Sequence, residues 1–187
     1  MLVLASQSPR RQEILRNAGI EFIVRSSSVE EIRGEKESPS EYVRRLARAK
    51  AQAVTAGETE IVLGADTIVL IKGQILQKPR DAADAEAMLR ALSGRDHQVM
   101  TGVCLRTARR TLEDSSVTRV HFRALDDREI AEYVASGEPM DKAGAYAIQG
   151  LASKFIHRVE GCYFNVVGLP VALVHKHLKE LSKDSGN

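Results

Sequence analysis

This chain of 187 residues has little of several residue types that mark common protein classes. It has no tryptophan, and its aromatic content of 4% is too low for a surface that stacks nucleic-acid bases. Its two cysteines, Cys104 and Cys162, have neither the number nor the spacing of a disulfide framework or a zinc site. It has no signal-peptide core and no apolar run near the roughly 18 residues of a membrane span. We therefore expect a reduced, cytoplasmic protein that binds neither membrane nor nucleic acid.

Several catalytic signatures are also missing. The chain has no Walker A or G-x-G-x-x-G sequence, no G-x-S-x-G context at Ser6 or Ser8, and no H-E-x-x-H among its five histidines. These absences argue against a serine hydrolase and against a metal held by histidines. The net charge of +2 gives no overall basic excess, so any anion must be bound by a local cluster.

Hydrophobic periodicity and capping residues predict strands that alternate with helices. Helices are predicted to begin after residues 8, 38, 81 and 126 and at residue 170. Strands are predicted at 2–5, 21–25, 61–71, 74–77, 97–107, 116–125 and 154–159, with a loop at 26–28 and glycine-punctuated chain over 140–168. This pattern favours one α/β domain over residues 1–182, with a mixed sheet, flanking helices and a polar tail at 183–187.

The opening stretch LASQSPRR combines a strand with a helix start that carries two arginines. Ser8 suits the N-cap and Pro9 the first helical position, so Arg10 and Arg11 fall in the first turn. Each cation there is unfavourable by about 0.3–1 kcal/mol, whereas the free N–H groups of a helix start attract an anion. We interpret this stretch as a phosphate-binding site; the alternative is that both guanidinium groups point into solvent.

Asp66 is the only charged residue in the apolar run 61–71. A buried carboxylate needs a partner, a metal or a cleft, and Gly64 beside it would leave room for a ligand. The alternative is a solvated strand edge or a bulge. Glu30 and Glu31 have the pattern of loop surface, although one of them could supply a second carboxylate for Mg²⁺ on a phosphate substrate.

The absence of a protein nucleophile suggests that water attacks a phosphate chain. An unperturbed aspartate has a pKa of about 3.9 and bulk water one of about 15.7, so proton abstraction by Asp66 alone is uphill by roughly 16 kcal/mol. A bound divalent ion lowers the pKa of water by several units. We therefore expect Asp66 to act beside a metal-associated water.

Six motifs, in this order, resemble those of the Maf family of nucleoside triphosphate pyrophosphatases: LASQSPRR, GADTIV, KPRD, LSGRDHQVMTG, EPMDKAGAYAIQG and NVVGLP. The resemblance covers residues 4 to about 173. It implies hydrolysis between the α- and β-phosphates with a divalent cation, Mg²⁺ or Mn²⁺. It also implies a single α/β domain with two lobes around a deep cleft, related to the inosine-triphosphatase type of house-cleaning enzyme.

The resemblance also implies roles for individual residues. Asp66 matches the catalytic proton acceptor, and the metal ligands would be Glu31 and Asp66. The phosphate-binding residues would be Ser6, Ser8, Arg11, Lys50 and Lys78. The substrate-selecting residues would be Arg10, Thr67 and Gln149. This last set looks like the subgroup that acts on dTTP and UTP rather than on 7-methyl-GTP; residues 151–153 depart from the glycine-rich sequence that relatives often carry there.

Other functions remain open at this point. Because Maf proteins have been associated with septum formation and cell division, the chain could be a regulator that senses nucleotides without turnover. A nucleic-acid-binding role would rest on the arginines at 10, 11, 44, 45 and 48, but the chain is only 4% aromatic and its sequence shows no stacking platform. The resemblance leaves modified pyrimidine nucleotides open as substrates, and by resemblance alone the protein could form a homodimer.

Overall fold

The structure, a computed structural model, describes residues 1–26 and 28–184 as a mixed α/β fold. Ser27, in the predicted loop, and residues 185–187 of the predicted tail lie outside the described residues. Within the described part, the strands are β1 (Leu2–Leu4), β2 (Phe22–Val24), β3 (Ile61–Ile71), β4 (Gln74–Leu76), β5 (Asp96–Arg106), β6 (Thr111–Phe122) and β7 (Ile156–Glu160). The α-helices are α1 (Pro9–Asn17), α2 (Pro39–Gln52), α3 (Ala82–Leu92), α4 (Asp127–Ala135), α5 (Tyr163–Val167) and α6 (Val171–Asp184).

The strands form one seven-stranded mixed sheet, which confirms the predicted fold class. Its order is β2-β1-β3-β5-β6-β7, and β4 pairs with β3. The strand β1 runs parallel to both β2 and β3, with Leu2 opposite Phe22 on one side and Ile61 on the other. The pairs β3–β4 and β6–β7 are antiparallel. A turn closed by the Thr107 N–H on the Arg110 carbonyl joins β5 to β6 as a hairpin.

Contacts divide the chain into two compact units, each with its own hydrophobic cluster. The first unit comprises Met1–Asp66, Thr101–Ser116 and Gly168–Asn187, and the second comprises Thr67–Met100 and Val117–Val167. Small side chains fill a cluster in the first unit: Val3, Ala5, Ala47, Ala51, Val54, Val62 and Cys104. The second unit has a cluster rich in large side chains, including Leu89, Leu92, Phe122, Ile130, Tyr133, Tyr146 and Phe155. No described helix combines the length and apolar character needed to cross a membrane.

The helix starts follow the local signals in the sequence. At α2, the Ser38 hydroxyl accepts from the Glu41 N–H and the Glu41 carboxylate accepts from the Ser38 N–H, a complete capping box. Asp126 and Glu129 make the same pair of bonds at α4. Ser8 occupies the N-cap of α1, but its side chain makes no capping hydrogen bond. The starts predicted after residues 8, 38, 81 and 126 are therefore confirmed, although the cap at Ser8 works differently from the expectation, and α6 begins one residue after the predicted position 170.

Two predicted regions differ from the structure. β6 begins at Thr111, five residues before the predicted start, because polar residues in its first half hide the alternation of a strand. The region 140–168 contains more structure than its glycines suggested. Besides β7, which corresponds to the strand predicted at 154–159, it holds α5 and the 3₁₀ helices Ala143–Ala145 and Leu151–Phe155, and a third 3₁₀ helix, Glu138–Asp141, leads into it.

Candidate active site

The Lys50 ammonium group bridges two carboxylates at the centre of the candidate site. Its Nζ lies 2.7 Å from Asp66 Oδ1 and 2.6 Å from Glu31 Oε1. The Asp66 side chain is 8% exposed and that of Lys50 is 13% exposed, whereas that of Glu31 is 51% exposed. Asp66 is thus a buried charge with a partner, as predicted, and the solvated-edge alternative is wrong. Lys50, expected to bind phosphate, contacts both carboxylates here; its phosphate role stays a prediction.

Two glycines set the position of α2, the helix that carries Lys50. A Cβ atom at Gly64 in β3 would lie 2.1 Å from the Ala47 oxygen and 2.8 Å from the Ala51 nitrogen. A Cβ atom at Gly102 in β5 would lie 2.3 Å from the Val43 oxygen. The α2 backbone therefore lies directly on the strands, at a distance that only glycine allows. The room at Gly64, expected to admit a ligand, is occupied by this helix.

Polar contacts fix both α2 and Glu31. The buried Tyr42, near the start of α2, donates its hydroxyl to the Glu31 carbonyl at 2.8 Å. At the other end of α2, the Arg106 guanidinium donates to the Ala51 carbonyl in the last turn of the helix and to the Val54 carbonyl, two residues past its end. The last four carbonyls of a helix have no partner within it, so Arg106 acts as a cap. The helix therefore holds Glu31 through its backbone as well as through its side chain.

Arg11 is buried rather than solvated. Its Nε donates to the Gly168 carbonyl at 2.9 Å and its Nη1 to the Ser6 hydroxyl at 3.2 Å. Burial lowers the pKa of Arg11 from its usual value, the carboxylate of Asp66 opposes that shift, and the neighbouring Arg10 adds to it. For Arg11, the solvent-exposed alternative is therefore wrong.

Ser6 and Ser8 lie together at the start of α1. The Ser8 N–H donates to the Ser6 hydroxyl at 3.2 Å, and that same hydroxyl accepts from Arg11. Arg10 follows in the first turn of the helix and is partly exposed. The residues predicted in this stretch are thus brought together. The negative charges of Asp66 and Glu31 favour the charged form of Arg11, since both raise its pKa.

Three predicted site residues belong to the second unit. Thr67 follows Asp66 in β3 and is partly buried, and Lys78 is exposed before the buried Pro79. Gln149 is exposed in a turn that the Gly150 N–H closes on the Ala147 carbonyl at 3.1 Å. The predicted roles of Thr67, Lys78 and Gln149 in substrate binding stay predictions.

The arrangement of Glu31 and Asp66 fits a divalent cation that a phosphate chain helps to hold. Mg²⁺ usually takes one or two carboxylates and completes its shell with phosphate oxygens and water. Both carboxylates already meet one cationic group, Lys50 Nζ, within hydrogen-bond distance. The described residues contain no cluster of three or more histidine, cysteine or acidic side chains arranged to hold a metal, so a cage built from protein alone is absent there.

Some residues of this arrangement escaped the sequence analysis. Tyr42 precedes Leu46 by four residues on the inner face of α2, so its burial could have been inferred, but its bond to Glu31 could not. Gly102 lies inside the buried stretch of β5, and a glycine in a strand interior is a sign of a close backbone approach. The sequence around Arg106 does not indicate its contacts, because its partners near the end of α2 are more than fifty residues away in the chain.

Comparison with solved structures identifies the class of fold. The structure is similar to that of the Ham1 protein of Staphylococcus aureus, with a TM-score of 0.54 over 96% of this chain and 98% of that one. The two sequences are 15% identical, so this similarity shows the fold alone. The mixed sheet is therefore of the Ham1 type.

Sequence comparison identifies the family. The family model described as Maf-like protein matches residues 1–181. A dTTP/UTP pyrophosphatase of Koribacter versatilis is 49% identical over 95% of this chain and 93% of the relative. A dTTP/UTP pyrophosphatase of Escherichia coli O157:H7 is 51% identical over 97% of this chain and 93% of the relative. The chain belongs to the Maf family.

Proposed function

We infer that this chain is a nucleoside triphosphate pyrophosphatase that hydrolyses dTTP and UTP to the monophosphate and pyrophosphate. The observation that carries this inference is an identity of 49–51%, over nearly the whole chain, with relatives named dTTP/UTP pyrophosphatase. Such an enzyme removes surplus pyrimidine nucleotides, and modified ones where the site accepts them. The site supports this chemistry because it combines carboxylates, for a proton and a cation, with buried positive charge for a phosphate chain.

Asp66 is the proton acceptor in the proposed reaction. A water molecule attacks the phosphate chain and gives its proton to the Asp66 carboxylate, the bond between the α- and β-phosphates breaks, and the two products leave. Lys50 orients Asp66 through the ion pair at 2.7 Å. A positioned general base contributes typically 10²–10⁴-fold to a rate.

Glu31 and Asp66 are the groups that would hold Mg²⁺ or Mn²⁺. When bound, the cation lowers the pKa of a water molecule and neutralises negative charge on the phosphates. Arg11 and Ser6, joined to each other at the start of α1, bind phosphate oxygens together with Ser8 and Lys78. Arg10, Thr67 and Gln149 select the base.

Metal binding can be tested without turnover. Titration of the nucleotide-free protein with Mn²⁺, followed by the loss of the free-ion electron paramagnetic resonance signal, should show weaker binding in Glu31→Gln and Asp66→Asn. Glu30→Gln is the matched control, because Glu30 is an exposed neighbour of Glu31 in the same loop. If all three variants bound Mn²⁺ equally well, neither Glu31 nor Asp66 would be a ligand of the metal.

A substrate panel tests the reaction itself. Purified protein is incubated with dTTP, UTP, CTP, GTP or 7-methyl-GTP and Mg²⁺ or Mn²⁺, and the products are separated by ion-exchange chromatography. We expect pyrophosphate and the monophosphate, fastest from dTTP and UTP, and a loss of turnover in Asp66→Asn with an unchanged circular dichroism spectrum. Release of orthophosphate would exclude a pyrophosphatase, and tight binding without product would favour a nucleotide-sensing regulator.

A further inference from the structure

The turn that carries Gln149 is held at both ends by one pair of side chains. The Ala147 N–H donates to the Tyr133 hydroxyl at 3.3 Å, and the Leu151 N–H donates to Glu138 Oε2 at 3.0 Å. The Tyr133 hydroxyl in turn donates to Glu138 Oε1 at 2.9 Å. We call Tyr133 and Glu138 the turn clamp, because together they hold Ala147, the first residue of the turn, and Leu151, the residue directly after the turn.

Gly150 allows the clamp to approach the turn closely. A Cβ atom there would lie 2.3–2.5 Å from the three carboxylate atoms of Glu138. Contacts below 3.0 Å are ones that real Cβ atoms essentially never show, so the carboxylate occupies the space of the missing side chain. The Gly150 N–H also closes the turn on the Ala147 carbonyl at 3.1 Å. The turn and the carboxylate therefore fit each other only with glycine at this position.

The clamp is itself anchored in the core of the second unit. Tyr133 is 3% exposed, and its ring packs edge-on against Phe155 with ring centroids 5.3 Å apart. Burial and the bond to Glu138 raise the pKa of Tyr133, so its hydroxyl remains a donor at neutral pH. Glu138 follows Gly137, whose backbone is left-handed. The Glu138 N–H donates to the hydroxyl of Ser136, the C-cap of α4, at 3.2 Å, so the backbone of Glu138 is fixed to the end of that helix. The turn is thus tied to a rigid support.

Rigidity at Gln149 matters because a glutamine amide can present its donor and acceptor in either order. Uracil and thymine offer an acceptor at O4 beside a donor at N3, whereas cytosine offers a donor at N4 beside an acceptor at N3. The clamp holds the backbone of the turn, so it fixes the point from which the Gln149 side chain reaches the base edge and limits the positions that its amide can take there. Recognition from a loop becomes selective only when neighbouring groups fix the loop.

We propose that the turn clamp positions Gln149 and thereby sets the preference for uracil and thymine nucleotides over cytosine nucleotides. Tyr133 and Glu138 are positioning residues, since they act through the turn. This proposal rests on the proposed function. It goes beyond that function by assigning selectivity to two residues that are tied to the Gln149 turn through its backbone.

The test measures kcat and KM for UTP and CTP in Tyr133→Phe and Glu138→Gln. We expect the ratio of kcat/KM for UTP to that for CTP to fall by about tenfold, the worth of one well-placed hydrogen bond. The kcat for UTP should change much less, because the clamp does not contact the reacting atoms. Glu132→Gln is the matched control, since Glu132 lies on the same helix but pairs with Arg128 on its exposed side.

A double-mutant cycle separates positioning from a general loss of structure. In a Gln149→Ala background the clamp substitutions should leave the ratio unchanged, because no side chain remains to be positioned. If Glu138→Gln is unstable, Gly150→Ala provides a second route, since its new methyl group displaces the movable carboxylate. Clamp variants with wild-type selectivity, or with a further loss in the Gln149→Ala background, would overturn the proposal. A wild-type protein that cleaves no triphosphate would instead overturn the proposed function.

Discussion

The substitution Gly64→Ala tests whether backbone contact between α2 and β3 sets the geometry of the candidate site. The new Cβ atom would lie 2.1 Å from the Ala47 oxygen, about 1.3 Å closer than the 3.4 Å at which ordinary contact begins. Because both atoms belong to backbone or are bonded to it, neither can rotate away. The helix must therefore shift away from the strand, and Lys50 must shift with it.

The expected effects follow from the size of that shift. Overpacking of a core by one methyl group costs about 1–3 kcal/mol in the free energy of unfolding. For a chain of this size that corresponds to a fall in Tm of roughly 2–12 °C. A displacement of about 1 Å at a catalytic group can reduce a rate by about 10²-fold. We therefore expect kcat/KM for UTP to fall far more than the loss of stability alone would explain at 25 °C.

The assay combines urea unfolding with the rate of pyrophosphate release below the melting transition. Gly57→Ala is the control, because the nearest atoms to a Cβ atom at Gly57 are those of the Glu60 side chain at 3.6 Å, which is an ordinary contact distance. It should leave stability and activity close to wild type. A Gly64→Ala protein with wild-type stability and turnover would refute the close contact between α2 and β3.

Three further predictions concern buried or partly buried polar groups. Arg11→Ala should weaken the binding of every substrate, and it should lower the free energy of unfolding by about 1–3 kcal/mol because the hydrogen bond to the Gly168 carbonyl is lost. Arg10→Ala should instead change the order of preference among substrates. A substrate panel combined with urea unfolding checks both variants. Arg106→Ala should lower the free energy of unfolding in urea by about 1–2 kcal/mol, because the Ala51 carbonyl in the last turn of α2 and the Val54 carbonyl after it lose their donor. Burial lowers the pKa of His97 from 6.5 to about 4, so only the unfolded chain gains a proton on this side chain as the pH falls through that range. Stability should fall by up to about 3 kcal/mol between pH 6.5 and 4, and His97→Phe should flatten that part of the curve.

Each of these predictions has an outcome that contradicts it. If Arg10→Ala and Arg11→Ala affected all substrates equally, the assignment of base selection to Arg10 and of phosphate binding to Arg11 would be wrong. Arg109→Ala is the control for Arg106→Ala, since Arg109 is exposed in the hairpin turn; equal stability of the two variants would contradict the cap. An identical pH profile for wild type and His97→Phe would show that His97 does not titrate differently in the folded and unfolded states.

The sequence predicts best those features that are set by neighbouring residues. The apolar run of β3 appears with its predicted bounds, and the capping boxes at Ser38 and Asp126 start helices where expected. Asp66 was identified because one charge in an apolar strand needs a partner wherever the rest of the chain folds. Local signals were therefore enough for the sheet, for the helix starts and for one acidic site residue.

Features that depend on distant residues could not be predicted in the same way. Glu31 has the local pattern of a surface loop, and its contacts with Tyr42 and Lys50 distinguish it from Glu30. The family resemblance identified Glu31, but periodicity alone did not. The turn clamp was also missed, because the bond from Leu151 to Glu138 spans thirteen residues of irregular chain.

The contact of α2 with Gly64 and Gly102 has a consequence for mutational tolerance. Where helix and strand touch through backbone atoms, their spacing does not depend on the rotamers or volumes of core side chains. Substitutions among the aliphatic residues around α2 should therefore alter stability without altering the distance from Lys50 to Asp66. The geometry of the site thus depends on two positions, Gly64 and Gly102, that have no side chain to vary.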